Sequence, residues 1–241
     1  MEGVAVVTGA SSGIGEAIAR HLLERGRTVV TLQRKPPRHK HERLLHHAVD
    51  LVDADATKAV AAEVAAKHAV LYLVNNAGAN RPATLENATT EDLDYVMALN
   101  VRAAMILIQA FTPGMRAAKF GRILSMSSRA AIGKTERTVY SSAKAALIGM
   151  TRTLCLELGG DGITINAIAP GPVATELFDN GHPIGSEKRQ RVIDSVPVKR
   201  VGTPDDIARV AAFLLDRDSG YITGQTLFVC GGTSISGSGG A

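Results

Sequence analysis

The sequence predicts an α/β domain: a doubly wound parallel sheet of about seven strands with helices on both faces. Three observations point there. Short β-branched runs alternate with longer alanine-rich helical ones from end to end. Hydrophobic residues make up 45% of the 241 while aromatics reach only 4% and Trp is absent. Ala, Val, Ile and Leu must therefore build the core, as suits helices on a buried parallel sheet. A glycine-rich turn joins the first strand to the first helix. A closed barrel would need a full set of eight strand–helix units, more than this chain offers.

The elements follow in order. VAVVT (4–8) reads as a buried strand, and GEAIARHLLERG as an amphipathic helix ending at Gly26. TVVTL (28–32) is a second strand and HAVDL (47–51) a third. Pro36 and Pro37 stand between them, so a helix there should be short or absent. ADATKAVAAEVAAKH is a helix and VLYLVNN (70–76) a fourth strand. The stretch 90–118 reads as a long helical segment interrupted by Pro113. GRILSMSS (121–128) is a fifth strand, followed by a second long helix that glycines close at 159 and 160. ITINAIAPG (163–171), a helix with Pro204 near its start, and GQTLFVCGG (224–232) complete the pattern. No linker or repeat divides the chain. One domain is expected over 1–233, with a loop-like lid at about 175–202 and a flexible Gly/Ser-rich tail at 234–241.

Composition excludes several function classes. The net charge is +4, from 27 basic and 23 acidic residues, and much of the excess sits in RKPPRHKHER (34–43). A nucleic-acid protein would spread a basic stripe over a face and supply aromatic platforms, so no nucleic-acid partner is expected. Cys155 and Cys230 lack metal-ligand spacing and read as small apolar residues in a reducing compartment. His39, His41, His46 and His47 lack cooperating acids at recognisable spacing, and no metal is expected. The N-terminus lacks the pattern of a signal peptide, and no membrane span of about 20 apolar residues is read. A cytoplasmic location is the expectation.

The turn TGASSGIG (8–15) suits a phosphate. Gly9 makes the bend, Gly13 lets backbone approach closely, and Gly15 lets the helix pack on the sheet. Ser11, Ser12 and Ile14 share the helix start, where free N–H groups face an anion. Further on, Tyr140 and Lys144 are four residues apart, about 400° around a helix, and so share a face. An ammonium beside a phenol favours the phenolate, and a phenol tuned toward neutrality can exchange a proton with a substrate oxygen. Ser125, Ser127 and Ser128 cluster at the end of the fifth strand, where ligands of such sheets bind. Asn100, a poor helix former inside a helical run, is either a tolerated kink or a group directed inward to hold a water beside Lys144.

Taken with NNAG (75–78), the serines, YSSAK (140–144) and PGPVAT (170–175), these motifs resemble the short-chain dehydrogenase/reductase family in order and spacing. The resemblance implies an NAD(P)-dependent oxidoreductase in a Rossmann-type fold. Tyr140 would be the general acid/base and Lys144 would also hold the nicotinamide ribose. Ser127, by its spacing to Tyr140, would polarise the substrate oxygen, and Asn100 would link a proton relay to solvent. Asp50 and Leu51 would lie against adenine, Asn76, Ala77 and Gly78 near the adenine ribose and pyrophosphate, and Pro170, Gly171, Val173 and Thr175 at the nicotinamide end. Where an acid would accept the adenosine ribose hydroxyls the chain has Gln33, followed by Arg34 and Lys35. That predicts NADP(H) in preference to NAD(H).

The substrate is expected to be a small ketone or secondary alcohol, with Phe178, His182 and Ile184 as lid residues that could contact it. The overall look is closest to 3-oxoacyl-carrier-protein reductases and small-ketone reductases. A 3-oxoacyl-thioester reductase is the alternative, but Asp161 stands where those enzymes place a basic residue. A nucleotide-sugar epimerase would need a longer chain, and a redox sensor has no need of a tuned phenol. The family commonly forms tetramers, so a homotetramer is expected. Cys230 stands where the family often has Asp.

Overall fold

The computed structural model describes residues 3–236. Seven parallel strands form one sheet in the order β3-β2-β1-β4-β5-β6-β7. They are β1 (Val4–Thr8), β2 (Val29–Gln33), β3 (Leu44–Ala48), β4 (Val70–Asn75), β5 (Gly121–Met126), β6 (Ile163–Pro170) and β7 (Thr226–Val229). The inner strands are buried almost throughout, which is why β1 and β4 read as nearly continuous apolar runs rather than alternating ones, while β5 and β6 also bury Arg122, Ser125, Thr164 and Asn166. The edges β3 and β7 are partly exposed and carry the polar residues His46, His47 and Thr226.

The helices are α1 (Gly13–Glu24), α2 (Ala54–Lys67), α3 (Thr90–Met97), α4 (Ala103–Ala118), α5 (Thr138–Leu158), α6 (Glu176–Gly181), α7 (Glu187–Ser195) and α8 (Pro204–Leu214). α1 packs on α8 over one face of the sheet, while α2, α4 and α5 cover the other. α8 begins with a reciprocal cap between Thr203 and Asp206 and has Pro204 in its first turn, where a missing N–H costs nothing. Strand order reverses between β1 and β4, so a crevice opens outside their carboxyl ends. The glycine turn, residues 76–78, Ser127 and the start of the lid all follow strands at that end.

Four expectations need correction. The third strand is Leu44–Ala48 rather than 47–51, because its register pairs Leu44 with Val29 and Ala48 with Gln33. The long helical segment is broken at a π turn, Ala98–Arg102, not at Pro113. Pro113 lies within α4, and the neighbouring Thr112 hydroxyl donates to Ile108 O at 2.6 Å. The run Thr90–Ala118 is in fact long and apolar enough to cross a membrane by that test alone, but 56% of its most apolar window is buried inside the fold. The segment 175–202, expected as a loop-like lid, is not a loop: Thr175 caps α6, Ser186 caps α7, and Arg189 ties the two by donating to Asp179 Oδ1 at 2.6 Å and His182 O at 3.0 Å. The β2–β3 connection has no helix, as the prolines predict. Of the expected flexible tail, 237–241 lie outside the described residues.

The base of the lid is stitched. Ala174 N donates to Gly202 O at 2.8 Å and Gly202 N to Pro172 O at 2.9 Å. Val173 and Gly202 form an isolated parallel bridge, so the chain leaves and re-enters the domain at one spot.

Candidate active site

The glycine turn is built by two separate strand ends. Gly9 (φ +66°) and Gly13 (φ +61°) adopt left-handed backbone, which a side chain would strain. A Cβ at Gly9 would lie 2.9 Å from Ala77 Cα, and one at Gly15 would collide with Gly9 O and Asn76 Nδ2. Asn76 Nδ2 donates to Thr8 O and Gly9 O at 2.9 and 3.0 Å, and Thr8 Oγ1 accepts from the N–H groups of Asn76 and Ala77, both at 2.9 Å. The Asn76 side chain is thus committed to holding the turn. Ser12 caps α1 with extended backbone and no side-chain bond, so no hydroxyl occupies the helix's first amides.

Beside the turn lies a cleft of about 370 Å³. Gly9, Ser11, Gln33, Arg34, Lys35, Asp50, Leu51, Asn76, Ala77 and Gly78 line it, so ten of the residues singled out by sequence meet there. Val49, Tyr95 and Leu99 line it too and were missed. The signal for the last two was available: they are four apart, about one helical turn, in the run that leads into Asn100. Gln33 Oε1 accepts from Ala10 N at 2.8 Å, while its buried Nε2 has no partner among the described residues. Arg34 approaches Asp50 at 3.9 Å across the cleft, but its side chain is 71% exposed, and Lys35 has no ion pair among the described residues. The wall is net positive.

Ser12, Ile14, Pro170, Gly171, Val173 and Thr175 lie outside that cleft lining. Thr175 rests its methyl group 3.2 Å from where a Gly13 Cβ would be, so the lid's first helix starts at the glycine turn. Gly171 has no room for a side chain because Cys230 fills it; the Cys230 thiol lies 3.2 Å from Ser234 Oγ. Phe178 and His182 stack on each other at 4.4 Å, and Ile184 is fully out on the surface.

Lys144 is 4% exposed. Its Nζ donates to Met126 O at 2.7 Å and lies 5.5 Å from the Tyr140 ring centre. Burial takes the ammonium pKa from 10.5 down to about 7. Tyr140 differs from the sequence expectation. Burial raises its pKa, with the Ser128 hydroxyl and the Arg137 charge acting in the opposite direction. Lys144 faces the ring and a backbone carbonyl, so it does not acidify the phenol here. Ser127 is turned away as well: its hydroxyl donates to Lys144 O at 2.8 Å and braces α5 against the end of β5. The serine beside the phenol is Ser128.

Asn100 sits inside the π turn, 2% exposed. Its Nδ2 donates to Val96 O at 2.9 Å and Ala79 O at 3.1 Å. Its Oδ1 has no partner among the described residues. A Cβ on Gly78 would lie 2.5 Å from that oxygen and 3.2 Å from Lys144 Nζ. The absent side chain of Gly78 therefore leaves a path from the cleft wall to both groups. Helix kink and inward-directed amide, open alternatives in the sequence, both occur.

The low Lys144 pKa has a consequence for stability. Between pH 7 and 10.5 the unfolded chain binds a proton that the fold does not, so stability rises with pH across this window. The penalty for charging the buried amine is complete below about 7. The melting temperature of the protein alone should climb from pH 7 to pH 9, and Lys144→Met should remove that part of the slope. Parallel pH profiles for the two proteins would show that the amine is not buried in neutral form.

The site can be set beside known proteins. The family model described as Enoyl-(Acyl carrier protein) reductase matches residues 9–234. The (2S)-[(R)-hydroxy(phenyl)methyl]succinyl-CoA dehydrogenase subunit BbsD of Thauera aromatica is 36% identical over 260 residues, 96% of each chain. The 3-oxoacyl-[acyl-carrier-protein] reductase FabG of Staphylococcus aureus is 34% identical over 241 residues, 95% of this chain and 96% of the relative. A 3-oxoacyl (acyl-carrier-protein) reductase from Agrobacterium tumefaciens C58, solved with NADP bound, superposes with a TM-score of 0.87 at 29% identity, covering 95% of this chain and 93% of the other.

Proposed function

The chain belongs to the short-chain dehydrogenase/reductase family and is an NAD(P)-dependent oxidoreductase, and on that premise we propose that it interconverts a ketone and a secondary alcohol with NADP(H), Tyr140 serving as general acid and base. The observation that carries the reading is Gly78, which lines the cleft and at the same time abuts Asn100 Oδ1 and Lys144 Nζ. Cofactor site and proton-handling groups share one wall.

When bound, the nicotinamide supplies or accepts the hydride. The protein's own part is to bind, orient and move a proton. The glycine turn would receive the pyrophosphate, since Gly9, Gly13 and Gly15 leave backbone exposed where side chains would block it. Asp50 and Leu51 would hold the adenine end, with Ala77 and Gly78 along the ribose. Pro170 to Thr175 would receive the nicotinamide end. The Tyr140 hydroxyl gives its proton to the carbonyl oxygen in reduction and takes one in oxidation. An amine with pKa about 7 is suited to resupplying that proton at neutral pH, and the inward face of Asn100 lies beside it. Ser128, and Ser127 after a change of rotamer, would hold the substrate oxygen.

NADP(H) is preferred over NAD(H) in this reading. No carboxylate ends β2; Gln33 is turned inward to the glycine turn, and Arg34 and Lys35 face the cleft. The Agrobacterium reductase was solved with NADP. We expect kcat/KM with NADPH to exceed that with NADH by at least about tenfold, the scale of a charge-assisted contact to a 2′-phosphate. Arg34→Gln should cut the NADPH value about tenfold and leave the NADH value nearly unchanged. A tenfold advantage for NADH in the wild-type protein would reverse the assignment.

A 3-oxoacyl thioester is the second reading, favoured by the names of the relatives. Against docking of an acidic carrier protein stands Asp161, which binds Arg116 at 2.8 Å and Lys119 at 3.2 Å and so cancels one of the two positive charges at that corner. The same proposal includes a homotetramer and a cytoplasmic location; both cysteines are free thiols, as suits a reducing compartment.

A further inference from the structure

We propose that the ion pair between Arg38 and Glu176 is a latch on dinucleotide exchange: closed, it holds the start of segment 175–202 over the glycine turn, and NADP(H) enters and leaves when it opens. This goes beyond the reductase reading and rests on one part of it, the glycine turn as the pyrophosphate site.

The contact joins distant parts of the fold. Arg38 lies on the β2–β3 connection, and Glu176 is the first residue of α6, which follows β6. In the sheet β1, β4 and β5 stand between β2 and β6, so the two strands are four spacings, about 19 Å, apart. Yet Arg38 Nη2 donates to Glu176 Oε2 at 2.9 Å. The two extensions lean toward each other across the carboxyl ends of the strands between them.

Both extensions also rest on the glycine turn. On one side Gln33 Oε1 accepts from Ala10 N at 2.8 Å. On the other the Thr175 methyl group lies 3.2 Å from the Cβ position of Gly13. The turn, Thr175, Glu176, Arg38 and the chain back to Gln33 therefore make a closed ring of contacts. Ser11, Gln33, Arg34 and Lys35 belong both to this ring and to the lining of the cleft, so the ring forms one rim of it.

The two arms are stiff and the junction between them is not. Pro36 and Pro37 restrict the backbone between Lys35 and Arg38. Arg189 ties α6 to α7, so Glu176 stands at the leading end of a braced unit. The Arg38 and Glu176 side chains are 64% and 61% exposed, and a pair so open to water breaks readily. The latch can therefore open without disturbing the sheet. The pairing also explains an acid at the entrance to a phosphate site: alone, Glu176 would repel the dinucleotide, and Arg38 cancels its charge.

Stopped-flow displacement of bound NADPH reads the release rate. Glu176→Gln should speed release about threefold, the scale of an exposed ion pair. Electrostatics without a latch predicts the opposite sign, because losing an acid near the pyrophosphate should slow release. NADH, which lacks the 2′-phosphate, serves to test the pairing. Arg38→Gln and Glu176→Gln should each speed its release, and the double variant should go no faster than either alone. For a larger effect, Arg38→Cys and Glu176→Cys can be joined by a short bifunctional maleimide, with Cys155→Ser removing the more accessible native thiol. Joining after loading should slow NADPH release at least about tenfold, and joining before loading should slow its entry as much. Unchanged or slower release from Glu176→Gln, additive effects of the two single changes, or normal exchange in the joined protein would overturn the proposal. Equilibrium titration of NADPH with wild type and Gly15→Ala reads the dinucleotide site separately, so site and latch can fail independently.

Discussion

Tyr140→Phe is expected to lower kcat/KM by about 10³, within the range for loss of a general acid–base group, while NADPH affinity stays within about twofold. In the proposed mechanism the phenol oxygen is the group that exchanges the substrate's proton. Lys144 Nζ donates to Met126 O and lies over the ring rather than beside the oxygen, and the Ser127 hydroxyl donates to Lys144 O. Phe keeps the ring that Lys144 lies over and removes only the oxygen. Stopped-flow reduction of a ketone, read by NADPH absorbance, and fluorescence titration of NADPH supply the two numbers. Residual activity within tenfold of wild type would remove Tyr140 from the chemistry. A parallel loss of NADPH binding would make it a cofactor-holding residue instead.

Gly15→Ala should be nearly as damaging, and for a different reason. The new methyl group would run into Gly9 O and Asn76 Nδ2, neither of which can yield. Gly9 O belongs to a left-handed turn, and the Asn76 amide is held by two carbonyls. Overpacking of this kind costs about 1–3 kcal/mol, which lowers the melting temperature by roughly 2–12 °C for a chain of this size. The turn must shift to accept the methyl group, so NADPH affinity should fall at least about 100-fold. Gly114→Ala in α4 is the control: nothing lies within 4 Å of its Cβ position, and alanine is the better helix former. If both variants bind NADPH like wild type, the glycine turn is not the pyrophosphate site.

Much of the fold was legible because burial on both faces writes itself into composition. β1 and β4 are apolar up to a single polar residue at their ends, and a helix pattern follows β1 directly. The boundaries that escaped were set by partners, not by local sequence. Leu44 joins β3 because Val29 stands opposite it, although the apolar pattern suggested a start at His47. The lid helices escaped because their starts rest on single hydroxyls, Thr175 and Ser186, set among glycines and charges that read as loop. For the site, spacing located the backbone well and the side chains less well. Ser127 has the right position in the chain but donates to Lys144 O. The Tyr140–Lys144 spacing does put the two side by side, yet the sequence carries no measure of burial, and burial decides both acidities in the opposite sense to a simple charge pair.

Because Pro172, Ala174 and Gly202 clasp one another, everything between them is a cassette whose two ends are already joined. Lengthening or rewriting the cassette beyond Thr175 changes loop-closure entropy only slowly and leaves the sheet where it is. On the proposed reading of this cassette as the substrate lid, evolution, or an engineer, can therefore retune what is reduced without renegotiating what does the reducing.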